Sequence, residues 1–145
     1  GTGFPLRWPL YYVGAQGMWN PAITSRQIMS EACDKLYGSA SRSMQRYYAI
    51  VERAMMDAPA QLRGYAWKLP GAEDIYTPTV ESAASAALVE SASMAVEPAV
   101  RERIRQEKTV WDNAIKTMAE ERRKEVERRK AGTRPVTQPN REYKQ

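Results

Sequence analysis

Between residues 6 and 118 the apolar side chains recur every three or four positions and nowhere alternate as strand residues would. The rhythm is punctuated at Asn20-Pro21, Tyr37-Gly38, Asp57-Ala58-Pro59, Thr77-Pro78 and Glu97-Pro98. Three- and four-residue spacing stacks side chains on one face of a helix, whereas a half-buried strand needs period two. The expected fold is therefore all-α: about five helices in a small helical bundle, with a long charged C-terminal helix and a flexible tail. At 145 residues the chain is the size of one domain and long enough to bury a core of its own.

The punctuation sets the boundaries. Leu6, Leu10, Val13 and Gly17 trace a first helix, with Pro5 and Pro9 near its start. Asn20-Pro21 ends it, since the residue before proline is pushed out of the helical region. Thr24 and Gln27 form a Thr-x-x-Gln capping box for a second helix carrying Ile28, Met29, Ala32, Cys33 and Leu36, which Gly38 closes with a left-handed conformation. Ser39 or Ser41 is expected to cap a third, with Met44, Tyr47, Tyr48, Val51, Ala54 and Met55 on its apolar side. Residues 59–76 hold two glycines, two prolines and several aromatics, the pattern of a long ordered loop. Thr77-Pro78 opens an alanine-rich helix suited to close packing, and Glu97-Pro98 opens the last. On that last helix Val100, Ile104, Trp111, Ile115 and Met118 make a stripe that Glu107 interrupts, so partial exposure is expected there. Residues 1–19 are read as a helix packing on an upstream domain or starting the bundle, 20–130 as the helical module and 131–145 as the flexible tail.

Composition narrows the chemistry. The chain has no histidine, which removes the usual general base near neutral pH and the commonest metal ligand. Its single cysteine, Cys33, excludes an internal disulfide and a multi-thiolate zinc site, and a buried structural role is expected for it. There is no phosphate loop, no nucleotide-binding glycine fingerprint and no cluster of metal-ligand type. No cofactor, metal site or catalytic residue is expected. Glu73-Asp74 is the best carboxylate pair, but adjacent loop residues rarely face each other across a substrate, and surface solvation is the expected role. No segment reaches the roughly 20 apolar residues needed to span a bilayer, and Gly1-Thr2-Gly3 lacks the basic start and apolar run of a signal peptide.

Three groups of residues invite a binding role. In the long loop, Tyr65 and Trp67 stand beside Arg63 and Lys68. Their rings either pin the loop onto the helices or stack on the apolar face of a sugar while Arg63 reaches its hydroxyls. Trp8, Tyr11, Tyr12 and Trp19 are denser than a small helix needs and are candidates for packing against another domain. The net charge of +5 is concentrated after Arg101, above all in residues 122–130. That stretch lacks the interleaved aromatics of a single-strand binder, and its glutamates dilute the charge, which weighs against nucleic acid. The rival to an accessory role is a stand-alone interaction protein that binds a partner or nucleic acid through this basic helix.

The order Tyr11-Tyr12-Val13, Met18-Trp19-Asn20-Pro21, Tyr37-Gly38, Met44, Tyr47-Tyr48 resembles the helical region after the barrel in a bacterial family, the domain of unknown function 4838 family. That family is similar to alpha-glucuronidases and other glycoside hydrolases. There a Trp-Asn/Asp-Pro turn leads into a helix ending in Tyr-Gly, and a helix with paired aromatics follows. The resemblance spans roughly residues 6–118 and is more specific in the first fifty. Ala22 departs from it, because an acidic residue often follows the turn in the family. The resemblance implies a non-catalytic helical accessory module of a larger carbohydrate-active protein. Its partners would be an upstream barrel domain and an oligosaccharide, and its location the periplasm or the cell exterior. The catalytic carboxylates of such a protein would lie in the barrel, and no position here matches them.

Overall fold

The computed structural model describes residues 4–58 and 75–130. Among these residues the chain is all-α, with five α-helices and one short 3-10 turn: α1 Phe4–Trp19, α2 Ser25–Tyr37, the turn Gly38–Ala40, α3 Ser41–Asp57, α4 Pro78–Met94 and α5 Pro98–Lys130. The loop residues Arg63, Tyr65, Trp67, Glu73 and Asp74, and the tail 131–145, lie outside the described residues.

Local chemistry explains most boundaries. The Asn20 side chain accepts from the Ala22 N–H at 3.2 Å, and this turn separates α1 from α2. The capping box is complete: Thr24 Oγ1 accepts from the Gln27 N–H at 3.3 Å, and Gln27 Oε1 accepts from the Thr24 N–H at 3.0 Å. Thr24→Ala is expected to cost about 1 kcal/mol of stability, with Thr24→Ser close to neutral, as read by urea unfolding. Thr77 likewise caps α4 by accepting from the Val80 N–H, with Pro78 in the first turn.

Two details at the junction of α2 and α3 depart from expectation. Gly38 has a positive φ of 48° as anticipated, but its ψ of −117° lies away from the left-handed helical well. Neither serine caps α3; its N-cap is Ala40, with no side-chain cap hydrogen bond. The 3-10 turn runs straight into α3, and the hydroxyls go elsewhere. Ser39 donates to the Met94 carbonyl at 2.7 Å and Ser41 donates to Asp34 Oδ1. The first of these ties the turn to the far end of α4.

The core lies where α2, α3, α4 and α5 meet. Tyr37, Met44, Tyr47, Leu88, Ile104 and Trp111 fill it. Ala84 and Ala87 of α4, both fully buried, let the α3 and α4 backbones approach closely. A smaller cluster of Ala54, Ala58 and Ile75 closes the opposite end of α3. Along α5 the inward stripe is Val100, Ile104, Glu107 and Trp111, all buried. Glu107, expected to be partly exposed, is only 3% exposed. The correction has a physical cause. Glu107 occupies an inward position of α5, and rings from three other helices close over it.

Helix α1 lies across α2 and α5. Trp8 packs on the core, and its indole N–H donates to the Tyr48 hydroxyl of α3 at 2.9 Å. Beyond the core, α5 continues as a charged helix. The Arg122 guanidinium pairs with Glu81 Oε1 at 2.8 Å and donates to the Tyr76 carbonyl, tying that stretch back to the start of α4. Among the described residues no helix is long and apolar enough to cross a membrane.

Candidate functional site

Glu107 is the centre of the most distinctive chemistry in the molecule. It borders a half-open cavity of about 500 Å³ walled by Trp8, Tyr11 and Tyr12 from α1 and Leu36 and Tyr37 from α2, with Arg103 and Gln106 along the α5 rim. Helical spacing explains why α1 contributes this wall. Trp8 and Tyr12 are four residues apart and share its inner side, their rings edge to face at 6.1 Å.

A ring network buttresses the wall from behind. Trp8 meets Tyr48 edge-on at 5.6 Å, Tyr48 packs on Tyr47 at 5.0 Å, and Tyr47 meets Trp111 edge-on at 5.8 Å. Such geometries place the positive edge of one ring against the negative face of another. The Tyr48 hydroxyl accepts from Trp8 and lies 2.9 Å from the Tyr37 hydroxyl, so the polar tips of these three side chains are satisfied within the cluster.

Glu107 is not satisfied in the same way. Its Oε2 is buried without a hydrogen-bond partner, as is the Tyr47 hydroxyl. A carboxylate taken from water into such surroundings is costly in its charged form. Burial pushes the Glu107 carboxyl up to about 7, while the Tyr48 hydroxyl and the Trp8 N–H pull in the opposite direction. Burial also raises Tyr37, Tyr47 and Tyr48, and Glu107 adds to each rise. The Cys33 thiol, fully buried, is pushed up to about 12 by burial, then by Asp34 and Glu107, which makes it a poor nucleophile.

This arrangement is suited to recognition. It offers aromatic rings, an apolar cavity and one buried carboxyl whose charge can change near neutrality. Among the described residues no three of His, Cys, Asp and Glu come together in a metal-binding group.

The residues singled out in the sequence fall in different places. Trp8 and Tyr12 are half-buried in this wall, while Tyr11, 58% exposed, stands at the mouth and Trp19, 90% exposed, projects beyond it. The pair Tyr65 and Trp67, with Arg63, lies outside the described residues. Glu107 and Tyr37 were not anticipated as site residues. The signal for Glu107 was its spacing, three residues after Ile104 and four before Trp111 on an otherwise apolar stripe. Tyr37 was legible only as a helix end.

Compared with known proteins, the chain matches no family model, no curated protein and no solved structure.

Proposed function

We propose that this chain is a non-catalytic helical module that braces a larger body, docking onto it through the outer side of α1. The observation that carries the reading is α1 itself. Between Trp8 and Trp19 its only polar side chain other than tyrosine is Gln16. A helix apolar on every side belongs in an interior. Among the described residues only the inner side is covered by the other helices, while Leu10 is 73%, Tyr11 58%, Met18 86% and Trp19 90% exposed. Contiguous exposure of this kind marks an interaction surface. A membrane surface fits less well, because an interfacial helix needs a charged face opposite its apolar one. The family resemblance supplies the occupant: the upstream barrel of a carbohydrate-active, glycoside-hydrolase-like protein. On that reading the loop bearing Arg63, Tyr65 and Trp67 is a candidate rim of its sugar site.

The test is the intact mass of the native gene product, detected in its source with an antibody raised against this chain. The proposal expects a species far heavier than 16.4 kDa. A species near that mass would overturn it and leave the basic C-terminal helix as the leading candidate for partner binding. The signature of that rival is affinity that falls steeply with added salt.

A further inference from the structure

We propose that the aromatic cavity over Glu107 is a binding site for an organic cation, an alkylammonium or quaternary ammonium group with a small apolar body. This goes beyond the docking reading and does not depend on it. Three observations converge. The cavity, about 500 Å³, is within the size range of small-molecule sites. Its wall presents four aromatic side chains, Trp8, Tyr11, Tyr12 and Tyr37, and the negative faces of such rings attract a desolvated cation. Glu107, 3% exposed, borders the cavity, and its Oε2 is buried with no hydrogen-bond partner among the described residues. An ammonium group in the cavity gives the nearby carboxylate a counter-charge, and its methyl or methylene groups meet the rings.

Other ligand classes fit less well. An anion would meet the Glu107 carboxylate, and Arg103, the one cation on the rim among the described residues, already donates to the Leu36 carbonyl at 2.9 Å. A sugar needs more hydrogen-bonding groups than this mostly apolar wall offers. A wholly apolar molecule would bring the Glu107 carboxylate no counter-charge.

Cation binding and Glu107 ionisation are then linked, since the cation favours the carboxylate. The groups that act on Glu107 are the Trp8 N–H from α1, Cys33 and Tyr37 from α2, and Tyr47 and Tyr48 from α3, while Tyr11, Tyr12 and Arg103 line the same cavity. Burial raises Cys33, Tyr37, Tyr47 and Tyr48 away from neutrality. Glu107 is therefore the group positioned to make binding depend on pH near 7.

The experiment titrates the folded 145-residue chain with choline and with dimethylbutanol, its uncharged carbon isostere, at constant ionic strength, by calorimetry and Trp fluorescence. Choline is expected to bind better than the isostere, with affinity rising about tenfold between about pH 6 and pH 8. Glu107→Gln should cut the affinity at the higher pH about tenfold and flatten the profile. Tyr11→Ser, at an exposed position that does not threaten the fold, should weaken choline several-fold while keeping the pH dependence. Equal binding of the two probes, no choline binding to the folded wild-type chain, or an unchanged pH profile in Glu107→Gln would each overturn the proposal.

Discussion

Raising the pH from about 5 to about 8 is expected to lower the unfolding free energy by about 2–3 kcal/mol, and Glu107→Gln is expected to abolish most of that loss. The sign follows from the carboxyl itself. In the folded chain Glu107 holds its proton up to about 7, whereas the unfolded chain releases it near 4.5. Between those values the folded state binds more protons, so stability falls as pH rises. The contribution is fully present below 4.5, is lost progressively, and is gone once the pH passes about 7. Glu102 behaves in the opposite sense. Hydrogen bonds from Arg105 and Gln106 hold its carboxyl down at about 2, so its titration lies below the tested window. Gln at position 107 keeps the shape and removes the ionisation. At the upper pH the variant should therefore be more stable than the wild type, and near pH 5 the two should be similar. Urea unfolding across the pH series reads both. Parallel pH profiles for wild type and variant would show that Glu107 is not the buried acid described above.

Trp111→Ala is expected to cost about 3–5 kcal/mol, against a change within about 0.5 kcal/mol for Trp19→Ala. Both residues are tryptophans on helices, so composition and propensity do not separate them. Trp111 is 3% exposed. It meets Tyr47 and Tyr76 edge to face at 5.8 and 5.7 Å, and its N–H donates to Ser85 Oγ at 2.9 Å. Removing it opens a cavity at the junction of α3, α4 and α5. Trp19, at the end of α1, is 90% exposed among the described residues. Thermal unfolding of the two variants checks this directly. Similar losses for both would place Trp19 in a contact that the structure does not contain.

Helix boundaries were legible because they are written locally. Asn20-Pro21, the Thr24 and Gln27 box, and Thr77-Pro78 act through neighbours a few residues away, and each appears where the sequence predicts it. Ser39 and Ser41 were not legible in the same way. Their hydroxyls are drawn to Met94, distant in sequence, and to Asp34 of the preceding helix, so local capping rules did not decide their roles. Glu107 shows the limit more sharply. Its spacing placed it on the inward stripe, yet its chemistry argued for solvent. The rings that close over it come from α1, α2 and α3, and no single-helix pattern encodes their convergence. Helix α1 was ambiguous for a different reason. With apolar residues on every side it carries no polar face to say which side is inner. The contact between Trp8 and Tyr48, forty residues apart, settles that only in three dimensions.

The exposed side of α1 and the Glu107 cavity meet at Tyr11, which lines the cavity mouth and belongs to the outer apolar surface. A body docked along α1 would therefore sit beside the proposed cation site. The central claim is that docking. It is tested most directly by placing a photoreactive side chain at Met18, 86% exposed on that surface, in the native gene product and mapping its cross-links. The account predicts a cross-link into polypeptide outside this 145-residue sequence. Cross-links confined to these helices or to a second copy of them, or none at all, would contradict it.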